Sequence, residues 1–137
     1  MSTEISKGVS NTEETFETIV IGGGQAGLAA GYFLARRAEN FIILDANQQT
    51  GDSWRKRWGS LKLFTPAKFN SLPGAPFPKP GNHLPTKDEV ADYLQNYATQ
   101  FGLPVRHGIK VEKLRRNGQG YTDRKSTRLN SSHRIRS

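Results

Sequence analysis

The sequence predicts an α/β fold built on a parallel sheet, and three observations predict it. An unbroken apolar run, Ile19-Val20-Ile21, leads into Gly22-x-Gly24-x-x-Gly27. A helix-like stretch follows from Gln25 to Arg37, and it opens with small residues, Ala26, Ala29, Ala30 and Gly31. A second apolar run, Phe41-Ile42-Ile43-Leu44, then closes on an acid, Asp45. Strand, glycine turn, helix, strand, acid is the order of a dinucleotide-binding βαβ unit.

Each element has its own justification. The first strand is expected at about residues 17–21, where apolar residues do not alternate with polar ones, as in a strand covered on both faces. Gly22 lets the chain turn sharply out of it. Gly24 lets backbone N–H groups approach a pyrophosphate, and Gly27 lets the helix lie close to the strand. The helix start then offers unpaired N–H groups and a partial positive charge to phosphate. At its far end Arg36 and Arg37 complement the opposite pole of the dipole. Asp45, 23 residues after Gly22, can accept hydrogen bonds from two ribose hydroxyls at the tip of the second strand. A carboxylate there repels a 2′-phosphate, so FAD or NAD fits this site better than NADP.

Beyond Asp45 the signals are shorter. Gly51-Asp52-Ser53-Trp54-Arg55-Lys56-Arg57-Trp58 interleaves two tryptophans with three basic residues. Such a segment is either a ring- and phosphate-contacting surface or a solvated turn with one buried tryptophan. Leu61–Phe64 is a short strand candidate. Six of the seven prolines fall in residues 66–85, which read as a long irregular segment of the kind that covers a site or joins subdomains. Thr86 and Glu89 stand at capping-box spacing and open a second helix. Val90, Tyr93, Leu94, Tyr97 and Phe101 recur along it at helical spacing, a stripe that suits the core. Gly102 and Pro104 end it. Val105, His107, Ile109 and Val111 alternate with polar residues as a third strand. His83 and His107 have no ligand or nucleophile partner in the sequence and are expected to be structural or solvent-facing.

Composition narrows the function classes. With no cysteine there is no disulfide, no thiol redox centre and no Cys-based metal site in this stretch. No run is long and apolar enough to span a membrane, and residues 1–15 form a polar, acidic lead-in rather than a signal peptide. The formal charge of +8 suggests nucleic acid, yet residues 123–137 alone carry +4 of it. The expectation is a soluble, cytoplasmic protein with a small-molecule substrate and without nucleic-acid or membrane partners; the oligomeric state stays open.

Those last residues have a specific resemblance of their own. Asp123-Arg124-Lys125-Ser126-Thr127-Arg128-Leu129-Asn130-Ser131-Ser132-His133 resembles the direct translation of a sequencing-library adapter, and Arg134–Ser137 fits a short index running on from it. A basic, Ser-rich tail is the alternative that composition alone allows. On the adapter match, residues 123–137 are set outside the fold, leaving a lead-in at 1–15 and the native part of a dinucleotide-binding domain at 16–122.

The glycine motif, Asp45, Gly51-x-x-Trp54-Arg55-x-Arg57-Trp58, Leu63-Phe64-Thr65-Pro66 and Pro85-Thr86-Lys87-Asp88-Glu89, in that order, make residues 16–116 resemble the flavin-containing monooxygenase-like group of two-dinucleotide-binding-domain oxidoreductases. The glycine motif is shared by many flavoproteins; the Trp-Arg and Phe-Thr-Pro blocks are more specific. The resemblance implies a truncated, Rossmann-like FAD-binding domain of glutathione-reductase type. It implies FAD held at its pyrophosphate by Gly22, Gly23, Gly24, Gln25, Ala26 and Gly27 and at its adenosine ribose by Asp45. Ser53 and Trp54 would lie along the ribityl–pyrophosphate stretch, Thr65 near the flavin, and the Val111 backbone at the adenine edge. The family's NADPH-binding domain would lie beyond this stretch. The implied reaction is hydride transfer from NADPH to FAD, activation of O2 and oxygenation of a substrate. No residue here is assigned a catalytic or metal-binding role. A reductase or dehydrogenase of the same architecture and a non-enzymatic dinucleotide-binding module are the other readings. Residues 46–60 lack the cysteine pair that some such reductases carry after the second strand.

Overall fold

A computed structural model describes residues 13–57, 66–116, 121–123 and 128–136. The chain runs β1 (Glu13–Ile21), α1 (Gln25–Arg36), β2 (Phe41–Asp45), α2 (Asp52–Arg55), a 3-10 turn (Ala67–Phe69), α3 (Lys87–Gln100), β3 (Val105–His107), β4 (Leu114–Arg116), β5 (Tyr121–Asp123) and β6 (Arg128–Arg136). The sheet order is β3-β2-β1-β6-β5-β4. β3, β2, β1 and β6 are mutually parallel, β5 runs antiparallel to β6, and β4 runs antiparallel to β5. This is an α/β architecture of Rossmann type, as the first βαβ unit predicts.

The two faces of the parallel strands fill two apolar clusters. Val20 and Ile43 point to the side where α1 and α3 pack, meeting Leu28, Leu34, Val90, Leu94 and Tyr97. Ile19, Ile42 and Leu44 point to the other side, where Ile109 covers them. All five residues of β2 are buried, which explains why its apolar run does not alternate. Gly31 brings α1 down onto the sheet, since a Cβ there would lie 2.9 Å from the Ile43 side chain.

The proline-rich segment is strapped to α3. Tyr93 accepts a hydrogen bond from the Leu72 amide and donates one to the Ala75 carbonyl, both at 2.7 Å. Burial pushes the phenol of Tyr97, one turn along, up to about 12. The aromatic stripe is therefore core, as its spacing predicts. The capping box also forms: Thr86 Oγ1 accepts from the Glu89 amide at 3.1 Å, and Glu89 Oε1 accepts from the Thr86 amide at 3.0 Å.

Three boundaries differ from those expected. β1 begins at Glu13, so the lead-in expected through residue 15 is shorter. Arg106 of β3 holds the buried Glu14 carboxylate with two hydrogen bonds, at 3.0 and 3.1 Å, and this long-range pair cannot be read from local sequence. β3 stops at His107 instead of running to Val111, because Gly108 adopts a φ of +74° and the chain bends over the end of β2. Residues 128–136, expected outside the fold, pair with β1 from Glu13↔Arg128 to Val20↔Arg136. That position flanks a buried strand, where parallel sheets are usually apolar, yet this segment holds only Leu129 and Ile135 as aliphatics. The ladder explains the placement, since backbone N–H and C=O groups along an open edge of β1 can pair whatever the side chains are. The strand candidate Leu61–Phe64 and Trp58 lie outside the described residues.

The Glu89 carboxylate ties this region together and gives it a pH signature. Its partners are the Thr86 amide, His83 Nε2 at 2.7 Å and Lys79 Nζ at 3.3 Å. The Thr86 amide first, then His83, hold its pKa down at about 2, from an ordinary 4.5. A depressed acid stabilises the fold above its unfolded pKa and ceases to as pH falls through its folded one. Urea midpoints should therefore fall as pH drops from about 4.5 towards 2. In Glu89→Gln that part of the decline should be absent.

Candidate dinucleotide site

The site starts where β1 ends. Gly22 has a φ of +104°, a left-handed conformation that favours glycine, and its amide still donates to the Leu44 carbonyl at 2.8 Å. The sheet ladder thus reaches into the turn. A Cβ on Gly27 would lie 2.0 Å from the Gly22 carbonyl oxygen, so only glycine lets α1 start this close to the strand. A Cβ on Gly23 would lie 2.9 Å from Asp45 Oδ2, so the turn rests against the acid. A Cβ on Gly24 would meet nothing within 4 Å, so the space above it is open.

Gly24 is also the N-cap of α1, and no side chain caps the helix. The first turn carries no acid, and Gln25 and Ala26 are exposed. An uncapped helix start with open space before it suits an anion, which accepts from the free N–H groups and meets the positive end of the dipole.

Asp45 stands at the tip of β2 with a side chain only 7% exposed. Oδ1 accepts from the Asn47 amide at 3.1 Å and from Asn47 Nδ2 at 3.4 Å. No hydrogen bond reaches Oδ2 from the described residues; His107 Nε2 stands 3.8 Å away, beyond hydrogen-bond distance. A buried acceptor without a donor is costly unless a ligand supplies one. The wall beyond it is made by the chain leaving β3, where the Gly108 amide donates to Asn47 O at 2.9 Å and the Ile109 amide to Asp45 O at 3.0 Å.

The predicted residues are not all brought together. The glycine turn and Asp45 meet, through Gly23. Val111 is half-buried and packs on the cluster of Ile19, Ile42, Leu44 and Ile109, past the Asp45 wall. Ser53 is exposed on α2, and its carbonyl accepts from Arg57 Nε at 3.3 Å. Trp54 packs against the core cluster under α3, with the Arg57 guanidinium 4.4 Å from its ring centroid. The two readings of the Trp-Arg block therefore resolve towards a packed tryptophan under a stacked arginine. Among the described hydrogen bonds and ring contacts, none joins Ser53 or Trp54 to the glycine turn. Thr65 lies outside the described residues. Sequence reasoning passed over Asn47 and Thr50 and set aside His107 as structural or solvent-facing. Only the register that sets His107 beside Asp45 could have pointed to the last of them.

Elsewhere, a cleft of about 370 Å³ opens between the proline-rich segment and α3, lined by Phe77, Tyr93 and Tyr97 among others. None of the predicted site residues lines it. Among the described residues no cluster of His, Cys, Asp or Glu could hold a metal ion, and no helix is long and apolar enough to cross a membrane.

A glycine turn feeding an uncapped helix, with a buried acid at the tip of the next strand, defines a dinucleotide-binding α/β domain. The chain belongs to the pyridine nucleotide-disulphide oxidoreductase family, whose profile matches residues 19–134. It is 43% identical over 103 residues to the oxidoreductase CzcO of Bacillus velezensis, covering 73% of this chain and 30% of that protein. It is 34% identical over 98 residues to the probable indole-3-pyruvate monooxygenase YUCCA9 of Arabidopsis thaliana, covering 71% of this chain and 23% of that protein. Among solved structures, the flavin-containing monooxygenase from Stenotrophomonas maltophilia superposes with a TM-score of 0.83 at 36% identity, covering 90% of this chain and 38% of that one. The chain thus spans about 30% or less of the length of these curated relatives.

The glycines can be told apart by experiment. Gly27→Ala should lose the fold, because its Cβ meets backbone, and thermal unfolding will show it. Gly24→Ala should keep the melting transition close to the parent chain's and lose dinucleotide affinity, read by titration.

Proposed function

We propose that this chain is the FAD-binding portion of an NAD(P)H-dependent flavoprotein monooxygenase. The observation that carries the reading is the uncapped start of α1 at the open face of Gly24, joined through Gly23 to a buried Asp45 oxygen that receives no hydrogen bond from the described residues. The residues present fit the adenosine diphosphate half of FAD. The amides of Gly24, Gln25, Ala26 and Gly27 would hold the pyrophosphate. Asp45 would accept from the ribose hydroxyls and repel a 2′-phosphate. The stretch leaving β3, through Ile109 to Val111, would border the adenine.

When bound, FAD supplies hydride acceptance and O2 activation; the protein's part is to bind, orient and shield it. The residues described here serve that binding. The partners in turnover, NADPH and a small-molecule substrate, would be held by parts of a longer parent protein, and we propose that this chain alone oxidises neither. The monooxygenase reading draws on the relatives that carry that name. The family description itself favours a second reading, an FAD-dependent reductase of the same architecture. With no cysteine in the chain, any redox disulfide of such an enzyme would have to lie elsewhere.

Titration separates the site's halves. FAD and ADP should bind this chain within about tenfold of each other, a span of about 1.4 kcal/mol, and FMN should not bind. FMN binding as strong as that of FAD would reject the assignment. The tail has its own test. Amplifying genomic DNA across codon 122 should give a continuation different from residues 123–137; finding these codons in the genome would reject the adapter origin.

A further inference from the structure

We propose that His107 is a positioning residue for the adenosine ribose: it fixes the loop after β2 and turns the Asp45 carboxylate so that Oδ2 faces the ribose diol. The inference rests on the dinucleotide reading of the site.

The geometry runs through Thr50. His107 Nε2 and Thr50 Oγ1 share a hydrogen bond at 3.0 Å, across 57 residues of sequence. Thr50 is 3% exposed and is followed by Gly51, whose φ of +93° seats it against Ala91 of α3. The Arg55 guanidinium adds a second tie to this corner, donating to the Thr50 carbonyl at 2.8 Å. The imidazole thus clips the loop between β2 and α2 to the tip of β3.

Asp45 is paired with His107 in the parallel register, so the two side chains stand next to each other on the same side of the sheet. Asn47 holds one oxygen of the carboxylate, and one oxygen alone does not stop the group from turning. The other oxygen lies between Gly23 and the imidazole, with Nε2 at 3.8 Å. That separation is too long for a hydrogen bond and short enough to bar rotation towards β3. A hydroxyl arriving from the open side then finds the oxygen already aimed. Preorganisation of this kind raises affinity by removing an ordering cost from the binding step.

A clip that only stabilised the loop would weaken all ligands alike. A residue that aims Asp45 should act on one hydroxyl. The test is the ratio of affinities for ADP and 2′-deoxy-ADP, measured by calorimetry or NMR titration on the chain. The unaltered chain should prefer ADP by about tenfold or more, the worth of one charge-assisted hydrogen bond. In His107→Ala the ratio should fall to less than about threefold, and in His107→Gln, whose amide nitrogen can reach Thr50, it should largely return. Thr50→Val removes the same clip from the other side and should lower the ratio too, which keeps the test open should the alanine variant unfold. An unchanged ratio in folded His107→Ala or Thr50→Val overturns the proposal while leaving the site intact. If the unaltered chain shows no preference and Asp45→Asn changes nothing, the dinucleotide reading itself falls, and this inference with it.

Discussion

Helix α1 leaves β1 so closely that a Cβ on Gly27 would stand 2.0 Å from the Gly22 carbonyl oxygen. Most of the first βαβ unit depends on that contact. It sets the helix down on Val20 and Ile43, which lets Leu28 and Leu34 close the core. It aims the uncapped helix start at the space above Gly24. It also presses Gly23 against Asp45, so the uncapped helix start and the carboxylate are held together by one turn. A single methyl group at Gly27 would lift the helix and separate all three.

Around this turn the remaining elements work as supports. α3 carries the aromatic stripe that fills the core and anchors two other segments. On one side Tyr93 straps the proline-rich chain; on the other Ala91 receives Gly51 and Gln95 accepts from Arg55 at 2.7 Å. Lys87, only 8% exposed, adds a bond from Nζ to the Arg55 carbonyl at 3.0 Å. α2 is a single turn of four residues and has no buried residue of its own, so these contacts rather than helix propensity explain its position. Through Thr50 the same corner reaches His107 and so the edge of the Asp45 site.

Much of this was legible where the signal is local. The extents of α1 and β2, the capping box at Thr86 and the core stripe on α3 follow from spacing within a few residues. The early start of β1 was not, because residues 13–16 pair with β6 and Glu14 is held by Arg106, 92 positions away. Nor was the end of β3: the alternation from Val105 to Val111 reads as one strand, but Gly108 bends the chain so that Ile109 can bond to Asp45 and cover Ile19, Ile42 and Leu44. For the tail, sequence resemblance set residues 128–136 outside the fold and the structure lays their backbone beside β1. The ladder constrains backbone atoms, and a resemblance between codons constrains none.

The sequence by itself determined the glycine turn, the acid at the tip of β2 and the dinucleotide class of site. Those features rest on steric exclusion at single residues and on hydrogen bonding within one βαβ unit. The tertiary structure decided which residues surround these features. It set His107 beside Asp45 and packed Trp54 against the core. Those outcomes depend on strand register and on α3 docking, which join residues tens of positions apart and leave no periodic trace in the chain.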